Sequence, residues 1–341
     1  MRKPKTAGLK VSIKEVAKLA GVSIATVSRV INKNPSVKEK NRQKVLKAIE
    51  ELKFSPSVFA QRLASGRTNV VALIIPRYEG IFYSFYALEI LKGIGTLCDV
   101  LRLDLLLHLT DGKSFPNVSG IGGVIFADII GNRHQLDYVL ERKVPCVVIN
   151  NYIEEPNINC IAIDNLKGAK EAVEYLINLG HKRIAHITGD LVTQAAQQRL
   201  EGYKTALKNK GFPINEEYIV RTDYSRGQAR QAAEKLLSLT NIPTAIFVAS
   251  DAMALEVINV IIEKGLKVPQ DISVVGFDDN PSGLYGKVAL TTVRQPLIKM
   301  AEEAVKHLNL MMKGKSNQIK KLILPPQLII RESSAPLKKN A

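Results

Sequence analysis

Between residues 70 and 330 short apolar runs alternate with amphipathic stretches, and the alternation occurs twice. Runs at 70–75, 105–108, 123–126, 146–149 and 160–163 are rich in Val, Ile and Leu without interleaved polar positions. Helix-length stretches at 83–101, 132–142 and 166–179 separate most of them. A strand that is apolar on both faces must be covered on both, and strands joined through helices pair in parallel with right-handed crossovers. The pattern restarts with strands at 183–187, 245–249 and 273–277 and helices at 194–210, 226–239 and 252–264. A last helix over 297–313 and strand-like runs at 321–324 and 327–330 complete this part. Two α/β layers in tandem predict a ligand site in the crevice between them.

The first 68 residues have another texture. They hold 16 Lys or Arg against 4 Asp or Glu, a net of +12, out of +16 for the whole chain. Charge concentrated in one small block is the footprint expected of phosphate contact. A solvated basic tail or a membrane-surface patch would also be cationic, but would not carry capped helices with apolar faces.

Residues 12–32 carry such helices. Ser12 is placed to cap a first helix, with Glu15 completing a capping box. Ile13, Val16, Ala17 and Ala20 share one face. Gly21 supplies a left-handed stop and Ser23 a second cap. In the following helix Val27, Val30 and Ile31 turn inward, while Ala25, Ser28, Arg29 and Asn32 fall on another face at i, i+3, i+4 and i+7. That face is small, polar and basic, which suits base edges better than a protein core. Spacing alone would also allow an ordinary helical hairpin; the charge block favours the DNA reading. A third helix is expected over 38–52, entered at Ser36 with Glu39, and ended by Phe54-Ser55-Pro56. Its inward stripe is Val45, Ala48, Ile49 and Leu52. Residues 57–68 form a helix-capable linker and polar punctuation.

At 341 residues the chain has room for two to three domains and a large core. No run of about eighteen apolar residues is present, so no membrane span is expected. Met1-Arg2-Lys3-Pro4-Lys5 lacks the apolar region of a secretory signal, which predicts a cytoplasmic protein. Cys98, Cys146 and Cys160 are odd in number and lack a C-x-x-C pair, as expected of buried free thiols.

Enzymatic readings find little support. Gly112-Lys113-Ser114 is no phosphate loop, because Leu107 stands where the earlier glycine is required. Gly93-Ile94-Gly95 has Cys98 where a dinucleotide fingerprint wants glycine. His181 and His186 flank a strand without a carboxylate at metal-ligand spacing. Asp278 and Asp279 are adjacent and should point apart, against a paired acid/base role. No enzyme activity, metal or cofactor is expected.

With headpiece, linker and double α/β body in this order, the chain resembles the lac/gal repressor family of transcriptional regulators over residues 11–332. The motifs that carry the resemblance are Glu15-Val16-Ala17, Gly21-Val22-Ser23, Thr26-Val27-Ser28-Arg29-Val30-Ile31-Asn32, Leu179-Gly180-His181-Lys182-Arg183-Ile184, Arg199-Leu200-Glu201-Gly202-Tyr203, Ser273-Val274-Val275-Gly276-Phe277-Asp278-Asp279 and Leu290-Thr291-Thr292-Val293-Arg294-Gln295-Pro296. The resemblance implies an all-α helix-turn-helix headpiece followed by an α/β periplasmic-binding-protein-like body of two doubly wound parallel-sheet subdomains. The implied division is headpiece 1–55, hinge helix and linker 56–68, N-subdomain 69–179 with 295–323, and C-subdomain 180–294 with 324–335. Crossings between the subdomains fall near residues 179, 294 and 324.

At the DNA end the resemblance implies base contacts from Ile24, Ala25, Thr26, Ser28, Arg29 and Asn32, with Arg29 suited to guanine and the apolar pair to a thymine methyl. It also implies a hinge helix in 56–64 that orders in the minor groove beside its twin, presenting Ala60, Gln61, Leu63 and Ala64. Leu63 is then the wedge that kinks the duplex; as a plain linker residue it would pack on the headpiece. Ser57 departs from the Asn of many members.

For the effector the family positions are Phe82, Tyr83, Arg199, Tyr224, Ser250, Asp278 and Gln295. Arg199 could instead cap a helix and Asp278 could hold a loop; Asp251 and Asp279 read as structural. Ser250 replaces a usual Asn, and Gly80-Ile81 a common Asn-Pro. The segment 111–123 is several residues too short for the helix that borders the dimer interface in relatives. The expectation is a homodimeric repressor that binds a pseudo-palindromic double-stranded DNA operator under control of a sugar-like small molecule. A purine or a protein corepressor is the alternative, and a sugar-binding protein without DNA function is a further one. No membrane partner is expected, and no tetramerising coiled coil, since 333–341 lacks a heptad.

Overall fold

The computed structural model describes residues 11–31, 34–54, 68–78 and 81–338, with only the backbone of Phe82. Asn32 and the expected hinge residues Ala60, Gln61, Leu63 and Ala64 lie outside the described residues. Two compact units are present, Met1–Asn69 and Val70–Ala341.

The first unit holds α1 (Ile13–Ala20), α2 (Ile24–Ile31) and α3 (Glu39–Glu51). Val16, Val27 and Val45, one from each helix, have no exposed surface and form its centre. Fully burying each contributes about 1.5–3 kcal/mol, which matters in a core this small. Ala17, Ala20, Val30 and Ala48 complete it, with Ile31, Ile49 and Leu52 partly buried around it. The start of α3 differs from expectation. Lys38, not Ser36, precedes the helix, without a side-chain cap. The Asn34 side chain accepts the Ser36 N–H at 2.9 Å, so this stretch is a turn closed on itself before the helix begins.

The second unit contains two six-stranded sheets. The strands are β1 (Val70–Pro76), β2 (Asp104–Thr110), β3 (Gly123–Ala127), β4 (Cys146–Ile149), β5 (Asn159–Ile163), β6 (Ile184–Ile187), β7 (Ile219–Val220), β8 (Ala245–Val248), β9 (Ser273–Asp278), β10 (Thr291–Arg294), β11 (Lys321–Leu324) and β12 (Gln327–Ile329). The first sheet runs β11-β5-β4-β3-β1-β2 and is parallel throughout. The second runs β12-β10-β9-β8-β6-β7, with only β12 antiparallel. The helices are α4 (Phe85–Leu101), α5 (Arg133–Glu141), α6 (Asn165–Asn178), α7 (Gln194–Asn209), α8 (Arg226–Leu237), α9 (Asp251–Glu263) and α10 (Leu297–Met312).

Each sheet is covered on both faces, as its apolar strands require. Helices α4 and α10 pack on one face of the first sheet and α5 on the other. In the second sheet α8 and α9 cover one face, α6 and α7 the other. Helix α6 therefore belongs with the second sheet: Ala169, Ala172, Val173 and Leu176 meet Tyr203, Phe247, Phe277 and Val293. The first crossing thus comes at Asp164, the N-cap of α6, rather than near residue 179. Small residues allow the close α6–α7 contact that holds it there, since a Cβ at Gly202 would stand 2.4 Å from the Leu166 carbonyl oxygen. Later crossings fall between β10 and α10 and between β11 and β12.

No helix occurs in 111–122. Phe115 instead stacks on Tyr138 of α5 with ring centroids 4.5 Å apart, and the Gln135 side chain donates to Thr110 Oγ1 at 2.7 Å. Strand β2, at the edge of the sheet, is consequently thinly covered, with Leu106 and Leu107 both exposed. Leu105 and Leu109 join the α4 side, while Leu106 is 47% exposed.

Candidate functional site

In the first unit the turn between α1 and α2 is locally determined. The Glu15 carboxylate accepts the Ser12 backbone N–H at 2.6 Å, one half of a capping box. Gly21 adopts φ +63° and its N–H reaches the last carbonyls of α1. Ser23 Oγ then accepts the Thr26 N–H at 3.2 Å, which orients α2. With Val27 and Val30 turned inward, Ile24, Ala25 and Arg29 are left on the exposed side and Ser28 half-buried beside them. Thr26 is also half-buried, and its hydroxyl lies 3.0 Å from that of Ser23, so it helps fix the start of α2. The Arg29 guanidinium has no side-chain partner among the described residues. This is a helix presenting two small or apolar side chains and one unspent guanidinium at its first two turns.

In the second unit a polar cluster forms beyond the carboxyl ends of the strands, where open parallel sheets place ligands. The first sheet contributes Asp128 after β3 and Asn150 and Asn151 after β4, all buried. Asp128 Oδ2 accepts from the Asn150 amide at 2.8 Å, and Oδ1 from the Ile129 N–H at 2.9 Å. From the second sheet come Asp278 at the end of β9 and Gln295 after β10; Gln295 Nε2 donates to Asp278 Oδ1 at 2.6 Å. Arg199, on α7, donates through Nε to Asn165 Oδ1 at 2.9 Å and through Nη1 to the Ala249 carbonyl at 2.6 Å. Its guanidinium carbon sits 3.9 Å above the Phe277 ring. Tyr224 folds over Gly189, where a Cβ would stand 1.9 Å from the ring.

Electrostatics tie these groups together. Burial pushes Asp128 up to about 6, while hydrogen bonds and the Arg199 charge pull the other way. Burial likewise raises Asp278 above the ordinary carboxylate range, against the pull of Arg199. Arg199 therefore acts on carboxylates from both sheets. Backbone strain also concentrates here: φ is +88° at Asp128, +66° at Asn150, +68° at Tyr224 and +142° at Asp278. Non-glycine residues held in such conformations cost about 1–3 kcal/mol each and cluster where function requires a fixed geometry. The Tyr86 hydroxyl, Asn150 Oδ1 and Gln295 Oε1 are buried without a hydrogen-bond partner. Buried polar atoms are rarely left so, and a bound ligand would satisfy them.

Of the residues expected at this site, Arg199, Tyr224, Asp278 and Gln295 come together. Ser250 lies nearby as the N-cap of α9, its Oγ accepting the Met253 N–H at 3.4 Å. Tyr83 does not join them; it closes a 3-10 turn (Ile81–Tyr83) and is 92% exposed. The Phe82 side chain lies outside the described residues. Asp251 is spent on the Thr292 hydroxyl at 2.5 Å and the Asn280 N–H at 2.7 Å. Asp279 pairs with Arg294 and Arg331. Sequence reasoning misses Asp128, Asn150 and Tyr86. The available signal for Asp128 is its place directly after the apolar run at 123–126, at a strand's carboxyl end.

Comparison with known proteins places both sites in context. Residues 12–57 match the family model described as bacterial regulatory proteins, lacI family, and residues 173–334 match a periplasmic binding protein-like domain. The HTH-type transcriptional regulator DegA of Bacillus subtilis (strain 168) is 35% identical over 340 residues, covering 96% of this chain and 99% of that protein. Among solved structures, the lac repressor dimer bound to operator and the anti-inducer ONPF is 27% identical, with a TM-score of 0.81 over 96% of this chain and 100% of that one. A complex of the transcriptional regulator CelR with cellobiose is 29% identical, with a TM-score of 0.72 over 95% of this chain and 99% of that one.

Proposed function

Because the chain belongs to the lacI family of bacterial regulatory proteins, we propose that it is a dimeric, sequence-specific transcriptional repressor whose hold on its operator is set by a small molecule bound between the two sheets. One observation carries the DNA assignment. The exposed side of α2 offers Ile24, Ala25 and Arg29, with Ser28 half-buried beside them, from a helix whose start is capped by Ser23, inside a block of net charge +12. Arg29 is assigned to a guanine edge and Ile24 with Ala25 to a thymine methyl. Thr26 supports the start of α2 and is assigned to the DNA in this reading, as is Asn32, which lies outside the described residues. The segment 56–64 is assigned as the hinge that enters the minor groove, with Leu63 as its wedge.

Cellobiose in the CelR complex supports a sugar-like effector for the body. Arg199, Tyr224, Asp278 and Gln295 are assigned to it, with Ser250 at the margin. A ligand that binds one spacing of the two sheets better than another shifts the population between them, and hence the fraction competent for operator. Repression is assigned to the cytoplasm on the likeness to DNA-binding transcriptional regulators.

Selection of bound duplexes from a random DNA pool by the full chain tests the reading. A pseudo-palindrome with an unconstrained centre is expected, its affinity falling steeply with salt as counterions are released. Recovery of no preferred sequence at low ionic strength overturns it.

A further inference from the structure

The inventory of the polar cluster is one-sided. Two carboxylates, Asp128 and Asp278, face one guanidinium, two further acceptors, Asn150 Oδ1 and Gln295 Oε1, are buried without a donor, and the unpartnered Tyr86 hydroxyl, the one orphan able to donate, can equally accept. Arg199 already donates from two of its three nitrogens, to Asn165 and to the Ala249 carbonyl. Each carboxylate is also held in place by a side-chain amide, Asn150 for Asp128 and Gln295 for Asp278. Those amides turn their nitrogen toward the carboxylate, and this leaves their oxygens as the orphans. A ligand that satisfies this arrangement must bring donors. An anion would instead set its charge beside two buried carboxylates, and would find the cation largely engaged.

We propose that Asp128 is the specificity residue of this site and that, with Asp278, it restricts the effector to a polyhydroxylated molecule that is uncharged or carries an amine, excluding carboxylated and phosphorylated ligands. The inference rests on the effector reading above and narrows it. Asp128 supplies an acceptor from the first sheet and Asp278 one from the second, so a donor-rich ligand bridges both. The strained backbone at both residues, φ +88° and +142°, fixes those acceptors before the ligand arrives.

The test uses the full chain, calorimetry and thermal shift, with four matched groups of probes. They are neutral sugars (glucose, galactose, ribose, cellobiose), amino sugars (glucosamine, galactosamine), sugar acids (glucuronate, galacturonate) and sugar phosphates (glucose 6-phosphate, ribose 5-phosphate). Binding is expected from members of the first two groups and not from their acidic or phosphorylated counterparts. For the probe that binds, Asp128→Asn is expected to weaken affinity by about ten- to a hundredfold, as loss of a hydrogen bond to a charged group does. Tighter binding of an acid or phosphate than of its neutral counterpart overturns the ligand class. Unchanged affinity in Asp128→Asn overturns the assignment of that residue. Silence of every probe, in thermal shift and in operator affinity alike, overturns the effector reading and the proposal with it.

Discussion

The Asp128 carboxylate accepts the Asn150 side-chain amide at 2.8 Å, joining the ends of two neighbouring strands of the first sheet. The bond holds an acid whose burial raises its pKa to about 6, above the ordinary carboxylate range. A raised carboxylate binds its proton more tightly in the folded chain than in the unfolded one. Its contribution to stability is therefore full below about pH 4 and is lost as the pH rises through about 6. Asp128→Asn should then be the more stable protein near neutrality, by about 1–3 kcal/mol, with the gap opening between about pH 4 and pH 6. Asn150 can accommodate the change by turning its unpartnered oxygen toward the new amide. Urea unfolding of both proteins across this range checks the prediction; a gap that widens toward acid would contradict it.

Gly189 and Tyr224 are in a contact that only glycine allows, because a Cβ would stand 1.9 to 2.3 Å from ring carbons. Gly189→Ala should cost about 1–3 kcal/mol through overpacking. Tyr224→Ala in the same chain should recover part of that loss, since the ring is what the methyl meets. A double-mutant cycle by thermal unfolding measures the coupling, and additive effects would show that the strain lies elsewhere.

Ser333 lies fully buried past the last strand, its hydroxyl donating to the Val274 carbonyl at 2.6 Å and accepting the Thr291 N–H at 2.8 Å. It thereby stitches the carboxyl-terminal segment between β9 and β10. Ser333→Ala leaves that N–H without its acceptor and is expected to destabilise the body by about 1–3 kcal/mol. The exposed Pro336, three residues on, serves as the control. Pro336→Ala should change stability by about 0.5 kcal/mol or less. Urea unfolding of the two variants beside the parent chain makes the comparison, and equal losses would contradict the assignment.

What is legible in the sequence is what is local or periodic. Ser12, Glu15, Gly21 and Ser23 predict their own helix ends because caps act over three or four residues. Strands β1 and β3 announce themselves as uninterrupted apolar runs. Strand β10 does not: Thr291 and Thr292 are polar, and they are buried because Ser334 and Asp251 take their hydroxyls. Helix α6 reads correctly as a helix, yet its partner sheet is decided by close packing against α7, which no local pattern reveals. Ser36 and Glu39 have capping-box spacing, but Asn34 claims the Ser36 N–H first. In the body, Arg199 and Asp278 are recognisable from motifs, whereas Asp128 becomes significant only when the fold brings it within reach of the Arg199 charge.

Arg29 offers the sharpest test of the DNA surface. Its side chain is exposed on α2 while the helix is anchored by Val27 and Val30, so its removal should leave the three-helix core intact. Arg29→Ala is expected to cost about 1–3 kcal/mol in operator binding and to relax preference at one base pair in each half-site. A phosphate contact would behave differently. It would weaken all sequences equally and reduce the slope of log affinity against log salt by about one unit per site lost. Measuring affinity for the selected operator and for single-base variants at several salt concentrations separates the two. Relaxed discrimination with an unchanged salt slope identifies a base contact, and uniform weakening with a shallower slope assigns Arg29 to the backbone.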